Sequence, residues 1–177
     1  MKDLTPDLYA SICPNTSAAG FSLGLDYRTF IKSAKPLLIN NFLDESIDDD
    51  TWRIYEQKVF NEITQKEYNF NYCYWNNSVV LVFNGNNFEL ESIQMYEGYK
   101  GKLFDEFQIG NKLSEVYKKF KLFFYADMHY LVDSDFECEN DDEPNLIKGI
   151  ALKTDYLVEF SDKCSEHIIE QINVFRV

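Results

Sequence analysis

A spacing that recurs within the chain constrains the fold more than any other feature. Phe21, Leu23, Gly24, Tyr27, Phe30 and Lys32 are echoed by Phe107, Ile109, Gly110, Leu113, Val116 and Lys118, each 86 residues later. Each set reads as a strand end, a glycine and then a helix. Leu113, Val116, Tyr117 and Phe120 follow at three-to-four spacing, and Tyr27, Phe30, Ile31 and Ala34 do the same. Pro36 closes the first helix, because the residue before a proline is pushed out of the helical region. In the second, Ser114 and Glu115 lie early and Lys118, Lys119 and Lys121 late, the polarity that the helix dipole favours. The two halves also close alike, since residues 92–96 and 171–175 both alternate apolar and polar positions as a half-buried strand does. Only three of the twelve positions paired from Phe21 and Phe107 are identical, so a duplication and a coincidence of common patterns both accommodate the echo. A duplication implies an α+β class: antiparallel sheets with a few helices, in two similar helix-plus-sheet halves, 20–96 and 106–175, related by a pseudo-twofold inside one compact domain, 1–177.

The rest of the chain reads mainly as strand. Fifteen Phe and 12 Tyr against 7 Gly and 4 Pro favour pleated, packed faces. Residues 69–75, 79–83 and 88–95 are separated by Asn76-Asn77 and by an Asn- and Gly-rich turn at 84–87, which predicts a three-stranded meander. In the second half, residues 122–125, 128–133, 147–152, 157–160 and 168–175 are the strand candidates. Ahead of Trp52, Ile54, Val59, Phe60 and Ile63 stand Asp44, Glu45, Asp48, Asp49 and Asp50. That arrangement reads as a capped helix start with first-turn acids, and the same acids are also available for recognition.

Charge narrows the function. The formal net charge is −13, which argues against binding nucleic-acid phosphates or an anionic membrane surface and leaves basic partners. Residues 133–143 hold seven acids and no base: Asp133, Asp135, Glu137, Glu139, Asp141, Asp142 and Glu143. In an extended segment the first five, at every second position, point one way and repel each other. Either a solvated loop or a cationic partner answers such a ladder. Tyr125, Tyr130 and Phe136 flank it, and tyrosine is enriched at interfaces.

Catalytic and metal chemistry find little support. Asp133, Asp135 and Glu137 resemble the start of a calcium loop, but its sixth position is Cys138 where glycine is required and its twelfth is Pro144 where a carboxylate should stand. His129, near Asp127, reads as an ordinary paired surface histidine, and His167 as a structural residue at a strand start. Cys13, Cys73, Cys138 and Cys164 are scattered without a C-x-x-C pair, so free thiols in a reducing compartment are expected, without zinc. No phosphate-binding glycine loop, G-x-S-x-G or H-E-x-x-H is present. The expectation is a protein that is not an enzyme, has no cofactor and has no metal site. No apolar run is long enough to span a bilayer and the first residues lack a signal-like core, so a cytoplasmic location without a membrane partner is expected.

Residues 93–101, with Ile93, Met95, Tyr96, Gly98, Tyr99 and Gly101, lead on to Ile109-Gly110 and the helix carrying Leu113 and Val116. Together with Gly149-Ile150 and the closing Ile172 and Val174, this resembles immunity proteins of bacterial polymorphic toxins and contact-dependent growth inhibition, over about residues 90–177. The resemblance implies a cytoplasmic protein that binds and neutralises a cognate toxin domain, and it carries no site residues with it. Many such toxins are nucleases with basic clefts, which an acidic protein can occupy where phosphates would bind. A sheet edge can add a strand from the partner as well. On that reading Asp133, Asp135, Glu137, Glu139, Asp141, Asp142, Glu143, Tyr125 and Tyr130 are the expected toxin contacts. An acidic phosphate mimic directed at another nucleic-acid-binding protein, and an enzyme with an unfamiliar site, stay open beside it.

Overall fold

The computed structural model describes residues 4–38, 50–62, 65–133, 144–161 and 163–177. The chain runs β1 (Ser17–Ala18), β2 (Phe21–Ser22), α1 (Tyr27–Ala34), β3 (Leu37–Leu38), β4 (Trp52–Asn61), β5 (Lys66–Trp75), β6 (Val79–Asn84) and β7 (Leu90–Met95). It continues with α2 (Leu113–Tyr117), β8 (Lys121–Tyr125), β9 (Met128–Val132), β10 (Ile150–Thr154) and β11 (Ile169–Phe175). Strand dominates and the two helices are short, an arrangement of the α+β class. Among the described residues β1 and β2 pair with each other, and the other nine strands form one mixed sheet in the order β3-β4-β5-β6-β7-β11-β10-β9-β8. Only β3 and β4 run parallel; every other neighbour pair is antiparallel.

Local chemistry explains both helices. Asp26 caps α1 by accepting the Thr29 N–H at 2.8 Å, satisfying a donor that the first helical turn leaves unpaired. Lys35 ends it in the left-handed region (φ 48°), where its N–H reaches the Ile31 carbonyl just before Pro36. The second helix spans only Leu113–Tyr117, and Lys121, expected in its last turn, opens β8 instead. Both helices lie on one face of the sheet. Phe30 from α1, Leu113 and Val116 from α2, and Trp52, Leu81, Ile93, Leu152 and Ile172 from the strands belong to a single buried cluster. Its densest part is aromatic: Trp52 sits 5.1 Å from Phe30 and 5.2 Å from Trp75, ring centre to ring centre. Such contacts add about 1 kcal/mol each to the burial of the rings.

Two expectations from local pattern are corrected. Residues 52–61 form a strand and not a capped helix: Trp52 and Ile54 are buried at alternate positions, and all ten residues pair with β5 from Trp52–Trp75 to Asn61–Lys66. Ten paired residues outweigh first-turn acids. Residues 157–160 are irregular, and Tyr156, Leu157 and Val158 are exposed.

One backbone pattern occurs at two places. The Gly24 N–H donates to the Leu90 carbonyl at 2.8 Å and the Leu90 N–H to Leu25 at 2.9 Å; Gly110 donates to Ile169 at 2.8 Å and Ile169 to Asn111 at 2.9 Å. Both glycines have the positive φ (82° and 87°) that residues with a side chain seldom adopt. Tyr27 donates to Phe88 and Leu113 to His167, both at 2.8 Å. The β6–β7 register shifts at Val82/Phe83 and the β10–β11 register at Lys153/Thr154. Strands β7 and β11 meet in mid-sheet, with Met95 opposite Ile172, Gln94 opposite Asn173 and Ile93 opposite Val174.

Candidate functional site

With both helices on one face, strand alternation sends every second side chain to a face that no described helix covers. Arg53 and Tyr55 of β4 pair with Tyr74 and Tyr72 of β5 on this outer face, and Val80 and Val82 of β6 lie next to the same tyrosines. It continues through Gln94, Asn173 and Phe175 to Tyr130 of β9 and Phe123 of β8, which pair with each other. Tyr72 and Tyr74 stack at 6.3 Å with 20° between their planes. Burial raises the phenols of Tyr72 and Tyr74, and pushes that of Tyr96 up to about 12, so all three stay neutral hydrogen-bond donors at physiological pH. Tyr96 uses its hydroxyl on Gln94 Oε1 at 2.7 Å. The face thus presents rings, amides and neutral hydroxyls, a composition suited to a protein partner.

Tyr125 and Tyr130 both belong to this face: Tyr125 is 65% exposed at the end of edge strand β8, and Tyr130 is half-buried with its ring edge-on to Phe175 at 6.5 Å. Asp133 follows β9 directly and donates its N–H to the Asn145 carbonyl at 2.8 Å. Ile147 donates to Leu131 at 2.8 Å, and Val132 bridges Leu146. The two ends of the acidic segment are therefore held side by side at the end of β9. Asp135, Glu137, Glu139, Asp141, Asp142 and Glu143 lie outside the described residues, as does the expected ladder geometry.

Sequence reasoning missed what happens at the histidines. His129, expected at the surface, is 1% exposed on the core side of β9, and its ring meets that of the fully buried His167 at 5.4 Å and 88°. The Thr154 hydroxyl donates to the Tyr156 carbonyl at 2.8 Å, which leaves its oxygen to accept from His167 Nδ1–H at 3.1 Å. That assigns the tautomer and leaves His167 Nε2 buried without a partner. Neither His129 nitrogen has a hydrogen-bond partner of normal geometry, although the Val158 main chain approaches the ring. Burial, with the neighbouring imidazole second, pushes His129 down to about 4. Tyr156 and Phe160 cover His167 at 5.6 and 5.8 Å, so the pair is a core feature shielded from the surface. Among the described residues no three His, Cys, Asp or Glu side chains are grouped to hold a metal ion. Cys13, Cys73 and Cys164 are free, and burial raises the Cys73 thiol far above its usual range. No helix among the described residues is long and apolar enough to cross a membrane.

A second feature sequence did not announce is a cavity of about 700 Å³ where β7 and β11 leave the outer face. Tyr74, Tyr96, Asn76, Glu97, Lys100 and Glu170 supply its functional groups. Its only sequence signals are two turns, Asn76-Asn77 and Glu97-Gly98, which say nothing of each other. Compared with family models, curated proteins and solved structures, the chain matches none.

Proposed function

We propose that this chain is an immunity-type protein that binds and neutralises a basic toxin domain in the cytoplasm, by acidic contacts and interface tyrosines and without catalysis. The observation that carries the reading is a juxtaposition. Both ends of a segment with seven acids are anchored at the end of β9, near Tyr130 on the outer face, while Tyr125 stands on the same face at the opposite end of the β8–β9 hairpin. Carboxylates there steer a cationic surface onto the protein, and the tyrosines supply contact area with little loss of side-chain freedom. The outer edge of β8 offers main-chain groups for strand addition.

The fold fits two copies of one unit, a reading that also accounts for the breadth of the face. Equating Ile93 with Ile172 and Met95 with Val174 makes the Met95–Ile172 and Ile93–Val174 pairs images of each other, as a twofold through Gln94 and Asn173 requires. The paired hydrogen bonds at Gly24 and Gly110 and the two register shifts support the same operation.

The test is co-purification with the toxin-like protein encoded beside it, followed by a salt titration. A tight complex that loosens as salt rises, and that is lost when Asp135, Glu137 and Glu139 are all changed to Lys, supports the reading. Undiminished binding by the triple variant would remove the acidic segment from the interface.

A further inference from the structure

The two ends of the β7–β11 pair differ in how their charges are partnered, and the difference points to a ligand. One step beyond the Ser92–Phe175 pair, the register sets Arg176 across from Glu91, and the Arg176 N–H donates to the Glu91 carbonyl at 3.0 Å. The guanidinium of Arg176 bonds the carboxylate of Glu89, while Glu91 accepts from the Asn84 amide at 2.8 Å. Every carboxylate at that end has a partner from this chain.

At the opposite end the register closes at Met95–Ile172, and Glu97, in the turn after β7, and Glu170, in β11, both line the cavity. Where the first end sets an arginine against glutamates, this one brings two glutamates into one lining. Neither has an ion-pair partner among the described residues, and Lys100 is the only cation in the lining. The Asn76 side-chain oxygen is buried in the same lining without a hydrogen-bond partner. Tyr74 and Tyr96 add two ring faces. Two carboxylates, an unused carbonyl-type acceptor and two aromatic rings match one side-chain chemistry. A guanidinium has five donors in a plane and stacks on aromatic faces.

We propose that this cavity receives an arginine side chain of the protein's partner. The inference rests on the toxin-binding reading only for the source of that arginine, and the cavity chemistry stands apart from it. The first experiment titrates the whole chain with Nα-acetyl-arginine amide and follows backbone amides by NMR. Saturable shifts at Gly98, Gly110 and Ile168 are expected. They should weaken about ten-fold or more when Glu97 and Glu170 are both changed to Gln, because each removes a charged acceptor. They should weaken as much for the uncharged isostere, acetyl-citrulline amide. Both glutamates are exposed, so the variant's folding is not at stake. Absence of saturable shifts, or equal binding of citrulline, overturns the assignment. The second experiment repeats the toxin co-purification with Glu97→Gln/Glu170→Gln. Toxin held as tightly as by the unaltered chain overturns the arginine contact while leaving toxin binding intact. Arginine binding without a toxin partner supports the cavity and removes the immunity reading.

Discussion

Replacing His129 by Phe isolates the energetic role of the buried imidazole pair. In the folded chain His129 is held down to about 4 by burial and by His167, against 6.5 for an exposed histidine. A base with a depressed folded value contributes stability that is complete above the unfolded value and is lost as pH falls from 6.5 toward 4, because the unfolded chain takes up the proton first. At pH 5 the unfolded state is favoured about thirty-fold by that proton, or about 2 kcal/mol. Lowering the pH also brings the net charge from −13 toward zero and relieves self-repulsion, an opposite effect that both proteins share. The informative quantity is therefore the difference between the unaltered chain and His129→Phe in urea unfolding, measured from pH 7.5 to pH 5. At pH 7.5 the two should agree within about 1.5 kcal/mol. The new ring keeps the packing on Phe124, 4.9 Å away, and removes two buried nitrogens without hydrogen bonds. At pH 5 the variant should have gained about 2 kcal/mol relative to the unaltered chain. Parallel profiles would refute the reasoning, since they require His129 to be solvated or charged in the folded state. NMR titration of its ring gives an independent reading: the imidazole should remain neutral at pH 5.

Three further expectations follow from packing. Gly101→Ala drives a new carbon into the Ala10 carbonyl oxygen and to 2.6 Å from the Tyr99 ring, so a loss of about 3 kcal/mol or more is expected in urea or thermal unfolding. Gly110→Ala meets nothing within 4 Å and incurs only the strain of φ +87°, about 1 kcal/mol; a cost as large as that at Gly101 would contradict the assigned cause. Tyr99→Phe removes a hydroxyl that donates to the Ala10 carbonyl at 2.6 Å and accepts from the Ala19 N–H at 3.1 Å, with a loss of about 1–3 kcal/mol expected by chemical denaturation.

Legibility in the sequence followed the range of the interactions. The meander β5–β6–β7 was readable because Asn76-Asn77 and residues 84–87 are turn formers between adjacent strands that pair with each other. The end of α1 was readable for a similar reason, since Pro36 acts within a few residues of the helix it closes. Residues 52–61 misled because the acids ahead of them and their own apolar positions also suit a helix, and only the ten-residue pairing with β5 decides against it. Tyr125 and Tyr130 could be named as aromatic neighbours of the acids, but that they share the outer face with Tyr72 and Tyr74 depends on sheet order.

By itself the sequence determined which residues seek burial, where the chain turns and that its surface is strongly acidic, because hydrophobic periodicity, backbone propensity and charge are carried by each residue and its near neighbours. Only the tertiary structure decided that β7 lies against β11, that His129 meets His167 in the core, and that Glu97 and Glu170 line one cavity. Each of those joins segments far apart in sequence. Their meeting depends on which sheet edges close on one another, a choice made by the packing of the whole core and encoded in no single window of the chain.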